Sequence, residues 1–453
     1  MKTYLTSCLG KVKADYAEIR YEETKVVQVH YVGKELEAIG ESETQGGGIR
    51  VHDKRGWSFV SFNNLNKLED YLKIAAREAH VVRGRKVELT PVSSQDKIVK
   101  IKVKKDPRRI SLQEKHHLCT RYNQILLFGK GIQTSDLKYA DVYTVKYFIN
   151  SEGTYIEQEK IRTVLGMTAI ARKGDNIQFA HEGVGEVGGY ELVENLEAKA
   201  EEVNQRAVSL LDAEPARGGR YTVIVDPKLS GMLAHEAFGH LSEADFLYEN
   251  ERLRKIMRLG RVFGPDQLNI VDEAPIEGQN GYYLYDDEGV SGQKTYLIRE
   301  GKLSGRLHSR ETAAKMGEKP TGNARAINYN YPPIVRMSNT YIEPGDVSFE
   351  EMISEVKEGI YAKGFRGEQT NLEMFTFSPE EGYLIKNGKL VKKIRDFNLT
   401  GNIFTTLSNI EAIGDDLVLF GGPGGCGKGE QFPLPVSTGG PHLKIRDVVV
   451  GGA

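Results

Sequence analysis

Residues 132–150, IQTSDLKYADVYTVKYFIN, decide how this chain folds. Leu137 and Tyr139 alternate with Asp136 and Lys138, and Tyr143, Val145, Tyr147 and Ile149 alternate with Thr144 and Lys146. A period of two with one apolar side marks β-strands that bury a single face. We divide the stretch at Ala140 into two strands, 132–139 and 141–150. A helix precedes it over 110–128, where Leu118, Tyr122, Ile125 and Leu126 recur at helical spacing. Three more strands follow: TYIEQEK (154–160), RTVLGMTAIAR (162–172) and NIQFAHEG (176–183). A helix over 190–212 closes the unit.

The first part of the chain follows the same plan. A helix over 2–14 leads into AEIRYEE, KVVQVHYV, ELEAIGES, GGIRVHD and WSFVSF, then a helix over 65–82. Charged pairs and glycines between these runs read as turns. Two helix–antiparallel-meander–helix units in succession suggest an internal duplication. Beyond about 215 glycine and short strands dominate. YLIREGKL (296–303) and YLIKNGKL (383–390) echo each other, with hairpin turns at Glu300-Gly301 and Asn387-Gly388. The expected class is α+β: domains at 1–88 and 109–214 joined by an 89–108 linker holding one strand, then a mainly β domain over 215–453.

Lys and Arg number 61 and Asp and Glu 63, so overall charge gives no footprint for nucleic acid. The three cysteines, Cys8, Cys119 and Cys426, are too scattered for a disulfide framework and suit a reducing interior. The N-terminus has no apolar core of a signal peptide, and no run reaches the ~20 apolar residues that span a bilayer. These features predict a soluble, cytoplasmic protein that binds neither nucleic acid nor membrane.

The chemistry centres on HEAFGH, 235–240. The familiar zinc motif H-E-x-x-H sets its histidines at i and i+4. Here they stand at i and i+5, about 140° apart on an ideal helix of 3.6 residues per turn. Asp226 as N-cap and Pro227 in the first turn start a helix that runs into the motif. A π-turn would bring both rings to one face. A helix ending at Gly239 would let His240 swing back instead. Two unrelated histidines remain the simple alternative, although Glu236 is the carboxylate a hydrolytic zinc site needs. Candidates for a third ligand are Glu243 and Asp245 nearby, and His181, His308, His442 and Cys426 at a distance.

Cys426 lies in LFGGPGGCGKGEQFPLP, a glycine-rich loop with no burial pattern to explain a cysteine. Thiolate suits zinc. Gly422 to Lys428 also spells G-x-x-x-x-G-K, but Gly429 replaces the magnesium-binding hydroxyl and two prolines oppose the helix a phosphate loop requires.

HEAFGHLSEADF together with GGPGGCGK resembles the TldD/PmbA family of metallopeptidases. So do 286–313 (DDEGVSGQKTYLIREGKLSGRLHSRETA), 336–346 (RMSNTYIEPGD) and, more weakly, 46–63 (GGGIRVHDKRGWSFVSFN). The resemblance implies zinc held by His235, His240 and Cys426, with Glu236 as the catalytic carboxylate. PmbA-type subunits lack the histidine motif, so this chain resembles the active TldD type. It further implies a dimer, often with a PmbA-type partner subunit, and hydrolysis of extended or unfolded polypeptides. Two other readings compete: a non-catalytic peptide-binding subunit or scaffold of the same family, and a nucleotide-binding protein using the glycine loop. For substrate contact, 336–342 is a candidate edge strand or, equally, an internal strand of a sheet, and Asp286, Asp287 and His308 are candidate cleft residues or, equally, turn and hydrogen-bonding groups.

Overall fold

A computed structural model describes residues 1–53, 56–82, 87–371 and 373–452. The expected α+β class is what it shows, but the strands are far longer than the sequence reading made them. The first part comprises α1 (Lys2–Leu9), β1 (Tyr16–Val32), β2 (Glu35–Asp53), β3 (Gly56–Phe62) and α2 (Leu68–Val81). After β4 (Asp96–Val99), which lies inside the stretch expected as linker, come α3 (Leu112–Leu126), β5 (Ile132–Asn150), β6 (Tyr155–Lys173), β7 (Asn176–Val187) and α4 (Glu197–Leu211). The break at Ala140 does not exist: it sits within β5, paired with Gln28 and Val164.

Charged residues beside the expected breaks stay in the ladders where they find a partner across the strand. Lys25 reaches Glu43 at 2.5 Å, for example. Gly46, Gly47 and Gly48 of β2 serve close approach rather than turning. A Cβ at Gly46 would fall 2.3 Å from the Tyr329 ring.

The two expected units also share one sheet. β1 pairs antiparallel with β5 from Glu18↔Asn150 to Val32↔Asp136, giving the order β3-β2-β1-β5-β6 with β4 and β7 both against β6. In β1, β2, β5 and β6 the odd-numbered residues point to the helices. Ile19, Tyr21 and Ile149 pack under α1 and α2, while Val29, Tyr31, Leu137 and Tyr139 pack under α3 and α4. Ser111 starts α3 with a reciprocal capping box to Glu114. Each fully buried aliphatic or aromatic side chain under these helices contributes roughly 1.5–3 kcal/mol. Even-numbered residues of these four strands are mostly polar and face the rest of the molecule: Arg50 bridges Glu18 and Glu288, and Lys146 meets Asp287.

Beyond 212 the described residues form a ten-stranded and a six-stranded sheet plus two short ribbons. Both echoed hairpins turn where expected, with left-handed φ at Glu300, Gly301, Asn387 and Gly388. α5 (Pro227–Ala234) follows the strand Gly219–Val225. Its Leu229 and Leu233 join Phe375, Phe377 and Ile445 of the ten-stranded sheet. Its other side lies on the six-stranded sheet, where a Cβ at Gly231 would meet Gly439 N at 2.4 Å. The strand Asn339–Ile342 is interior, paired on one side with Ile270–Asp272 and on the other with Ser437–Gly439. The expectation of an open edge at 336–342 is therefore wrong.

Candidate metal centre

The helix that carries HEAFGH begins as its sequence requires. Asp226 accepts a hydrogen bond from Leu229 N at 3.0 Å, and Pro227 opens the first turn. After Ala234 the winding changes to a π-turn over His235–Gly239, in which His240 N–H donates to His235 O. The wider turn puts the i and i+5 imidazoles on one side, their ring centroids 5.1 Å apart and nearly perpendicular. Gly239 is there for space, not for backbone freedom. Its φ is an ordinary −58°, but a Cβ would fall 1.9 Å from Met337 Sδ.

Cys426 arrives from the ribbon Cys426–Lys428 with Gln431–Leu434. The fully buried Arg336 anchors both arms, donating to Cys426 O at 2.6 Å and Gln431 O at 3.2 Å. Cys426 Sγ lies 3.2 Å from His240 Nε2. One ligand atom each from His235, His240 and Cys426 fall within 4.8 Å of one another. Burial alone would raise the Cys426 thiol, but His235 and then His240 hold it down at about 5. A thiolate at neutral pH is what a metal ligand must be.

The surroundings fit a metal as well. His235 is buried, and its Nδ1 has no hydrogen-bond partner. His240 Nδ1 meets Glu243 Oε2 at 3.1 Å, which fixes the ring and leaves Nε2 toward the cysteine. Burial would raise the Glu243 carboxyl; Lys428 and His240 hold it at about 2. Two imidazoles and a thiolate form a donor set suited to zinc, with one tetrahedral position left over.

The three residues open onto a cavity of about 690 Å³. Glu236 lines it, as do Met232, Phe365, Phe432 and the glycine loop from Gly421 to Gly427. Glu368 also lines it and is absent from the sequence expectations. Burial, then the charge of Glu236, pushes its carboxyl up to about 7. Glu368 belongs to the strand Gly367–Asn371, which ends the ten-stranded sheet and pairs on one side only among the described residues. Thr370 on the same strand lines the cavity with a buried, unpartnered Oγ1.

The other candidates are engaged by protein side chains. Asp245 binds Lys428 Nζ at 2.7 Å. That contact, with a strand rather than a helix at 426–428, removes the phosphate-loop reading. His181 lines the metal cavity, paired with Glu380 at 3.1 Å. His442 is bound by Asp416 and Tyr361. His308 is buried between Thr312 and Glu318, and Asp286 and Asp287 line a separate cavity, so these three do not reach the metal site.

Family models for the PmbA/TldA metallopeptidase match in order: domain 1 over 17–81, the central domain over 105–211 and the C-terminal domain over 218–452. The chain belongs to the TldD/PmbA family. Within it, a "Metalloprotease" of Synechocystis sp. is 43% identical, over all of this chain and 98% of the relative. A "Zinc metalloprotease TldD homolog" of Saccharolobus solfataricus is 31% identical over 97% of both. The TldD/PmbA fold is evident in TldE from Thermococcus kodakarensis, with TM-score 0.77 and 17% identity over 99% of this chain and 98% of that one. A Thermotoga maritima structure gives TM-score 0.81 at 20% identity over 99% of both chains.

Proposed function

We propose that this protein is a zinc-dependent peptidase that hydrolyses peptide bonds in extended or unfolded polypeptides. The observation that carries the reading is the π-turn, which sets His235 and His240 beside Cys426 with Glu236 in the same cavity. His235, His240 and Cys426 hold the ion. When bound, zinc supplies Lewis acidity toward water and the scissile carbonyl. Glu236 accepts the proton of the attacking water and delivers it to the leaving amine as the C–N bond breaks. The free side of Gly367–Asn371 takes the substrate backbone as an added strand, which selects extended chain without selecting sequence. No helix among the described residues is long and apolar enough to cross a membrane. We place the protein in the cytoplasm, working as a dimer, with a PmbA-type subunit as the candidate partner.

The test is zinc content and peptide hydrolysis of untagged wild type beside Glu236→Gln. Wild type should carry one zinc per chain. The variant should keep its zinc and lose activity by ~10² or more, the scale of a missing general base. A wild type without stoichiometric zinc, inactive when zinc is added back, refutes the metal reading. Substantial turnover by zinc-loaded Glu236→Gln refutes the role of Glu236.

A further inference from the structure

A second cavity, of about 420 Å³, lies between the polar face of the long sheet and the C-terminal half of the chain. Its size suits a small organic ligand. Lys146, Lys160, Arg162 and Arg325 line it, with Glu22, Glu159, Asp286 and Asp287. The formal charges balance, but the pairings do not.

Lys146 pairs with Asp287 at 3.0 Å and Glu22 at 3.4 Å, and Arg20 stands 3.9 Å from both carboxylates. Glu159 pairs with Lys100 at 2.8 Å. Asp286 accepts three backbone N–H bonds, from Glu288, Val290 and Ala324. Burial and the neighbouring Glu288 raise its carboxyl well above the usual range.

Three cations are left. Lys160 Nζ donates to Tyr282 O at 3.0 Å and Asn280 O at 3.3 Å. Arg162 donates to Asn280 Oδ1, to Gly422 O at 2.8 Å and to Gly424 O at 3.4 Å. Arg325, 6% exposed, donates to Met337 O and to Pro435 O at 2.8 Å. None of the three has a carboxylate within 4.0 Å among the described residues. Enclosure by protein, then mutual repulsion, pushes Lys160 well below its ordinary value. Arg325 is buried and Lys160 and Arg162 are half-buried, and charges withdrawn from water are ordinarily paired, because desolvation is costly otherwise. An anion in the cavity would supply the missing partner. The remaining walls, including Val142, Ile327, Tyr285, Tyr329 and Leu434, suit an apolar or aromatic body.

We infer that this cavity binds a small organic anion, a carboxylate or phosphate carried on an apolar or aromatic body, with Lys160, Arg162 and Arg325 at the charged end. The site also touches the metal centre's support. Arg162 holds the carbonyls of Gly422 and Gly424, and Arg325 holds that of Pro435, on either side of the Cys426 ribbon. A bound anion draws on the same guanidinium groups, so occupancy is coupled to the position of Cys426. The inference does not depend on the peptidase reading, because binding is measured without turnover.

The experiment is calorimetric titration of the full chain with phenyl phosphate, benzoate and inorganic phosphate. The expected result is saturable binding near one site per chain by phenyl phosphate or benzoate, with inorganic phosphate weaker for want of the apolar body. Lys160→Met should weaken it at least tenfold, and Lys160→Arg should retain most of it. Lys138→Met, an exposed lysine of the same sheet, should leave it unchanged. Val142→Trp, which fills the cavity from its apolar side, supplies a second variant if Lys160→Met does not fold. Absence of saturable binding by all three probes overturns the inference. Binding that survives both Lys160→Met and Val142→Trp also overturns it, since the anion then sits elsewhere.

Discussion

Gly239→Ala should disable the metal centre although it adds one carbon and suits a helix. With φ at −58°, alanine is conformationally at home there and would gain about 1 kcal/mol in propensity over glycine. The cost is contact. The new Cβ would lie 1.9 Å from Met337 Sδ, 3.2 Å from its Cε and 3.3 Å from its Cγ. Optimal separations are about 3.5–4.0 Å, so roughly 2 Å must open at the sulfur. Met337 is fully buried and its sulfur is mid-chain, so it cannot simply swing away. Overpacking of this kind costs about 1–3 kcal/mol, leaving a net loss of at most about 2 kcal/mol after the propensity gain. His240 is the next residue, and metal bonds tolerate only about 0.2 Å of error. Denaturant titration should show the modest loss of stability, and chelator competition should show zinc held at least tenfold less tightly. Adding Met337→Ala removes the clash and should restore part of the zinc affinity while lowering stability further. If Gly239→Ala is as stable as wild type and keeps its zinc, the packing account of this glycine is wrong.

Cys426→Ser should lose zinc rapidly to a chelator while keeping its fold, and Cys8→Ser and Cys119→Ser should hold zinc as wild type does; equal retention by all three would move the third ligand elsewhere. Glu243→Gln should lower the stability of metal-free protein. The Glu243 carboxyl is held at about 2 against an ordinary 4.5, so its contribution is present above pH 4.5 and fades as pH falls toward 2. That shift corresponds to at most about 3 kcal/mol, and a wild type–variant gap that does not narrow over this window would contradict it. A destabilised domain should be cleaved much faster than its stable parent, and equal rates with the parent demonstrably folded would rule out selection for extended chain.

Much of this architecture was legible in the sequence because periodicity records burial. The odd-numbered apolar residues of β1 and β5 identified a one-sided sheet, and Asp226-Pro227 marked the start of α5. Strand length was not legible. Thr24 and residues 43–46 look like breaks between short strands, and only the pairing of Lys25 with Glu43 and the approach of Tyr329 to Gly46 show why the chain stays extended. The histidine spacing did announce a distortion, since an i, i+5 pair has no shared face on a regular helix. The purpose of Gly239 did not show, because Met337 comes from the segment between the strands Ile334–Val335 and Asn339–Ile342, nearly 100 residues away. Glu368 had no local signal: in FRGEQTN it is one more polar residue until the edge of the ten-stranded sheet brings it opposite Glu236. The expected edge at 336–342 failed because both of its sides are paired by segments distant in the chain.

The strand Leu443–Gly451 lies inside the ten-stranded sheet, between Gly219–Val225 and Asn398–Asn402. It leaves the ribosome after every strand it joins. Until it arrives, the sheet exists as two halves with no seam, and the helix bearing His235 and His240 rests on an unfinished floor. Synthesis proceeds at about 5–20 residues per second, so this interval lasts seconds for the stretch from 402 to 451. The pairing of His235 and His240 with Cys426 therefore gains its full support only when the last strand has closed the sheet.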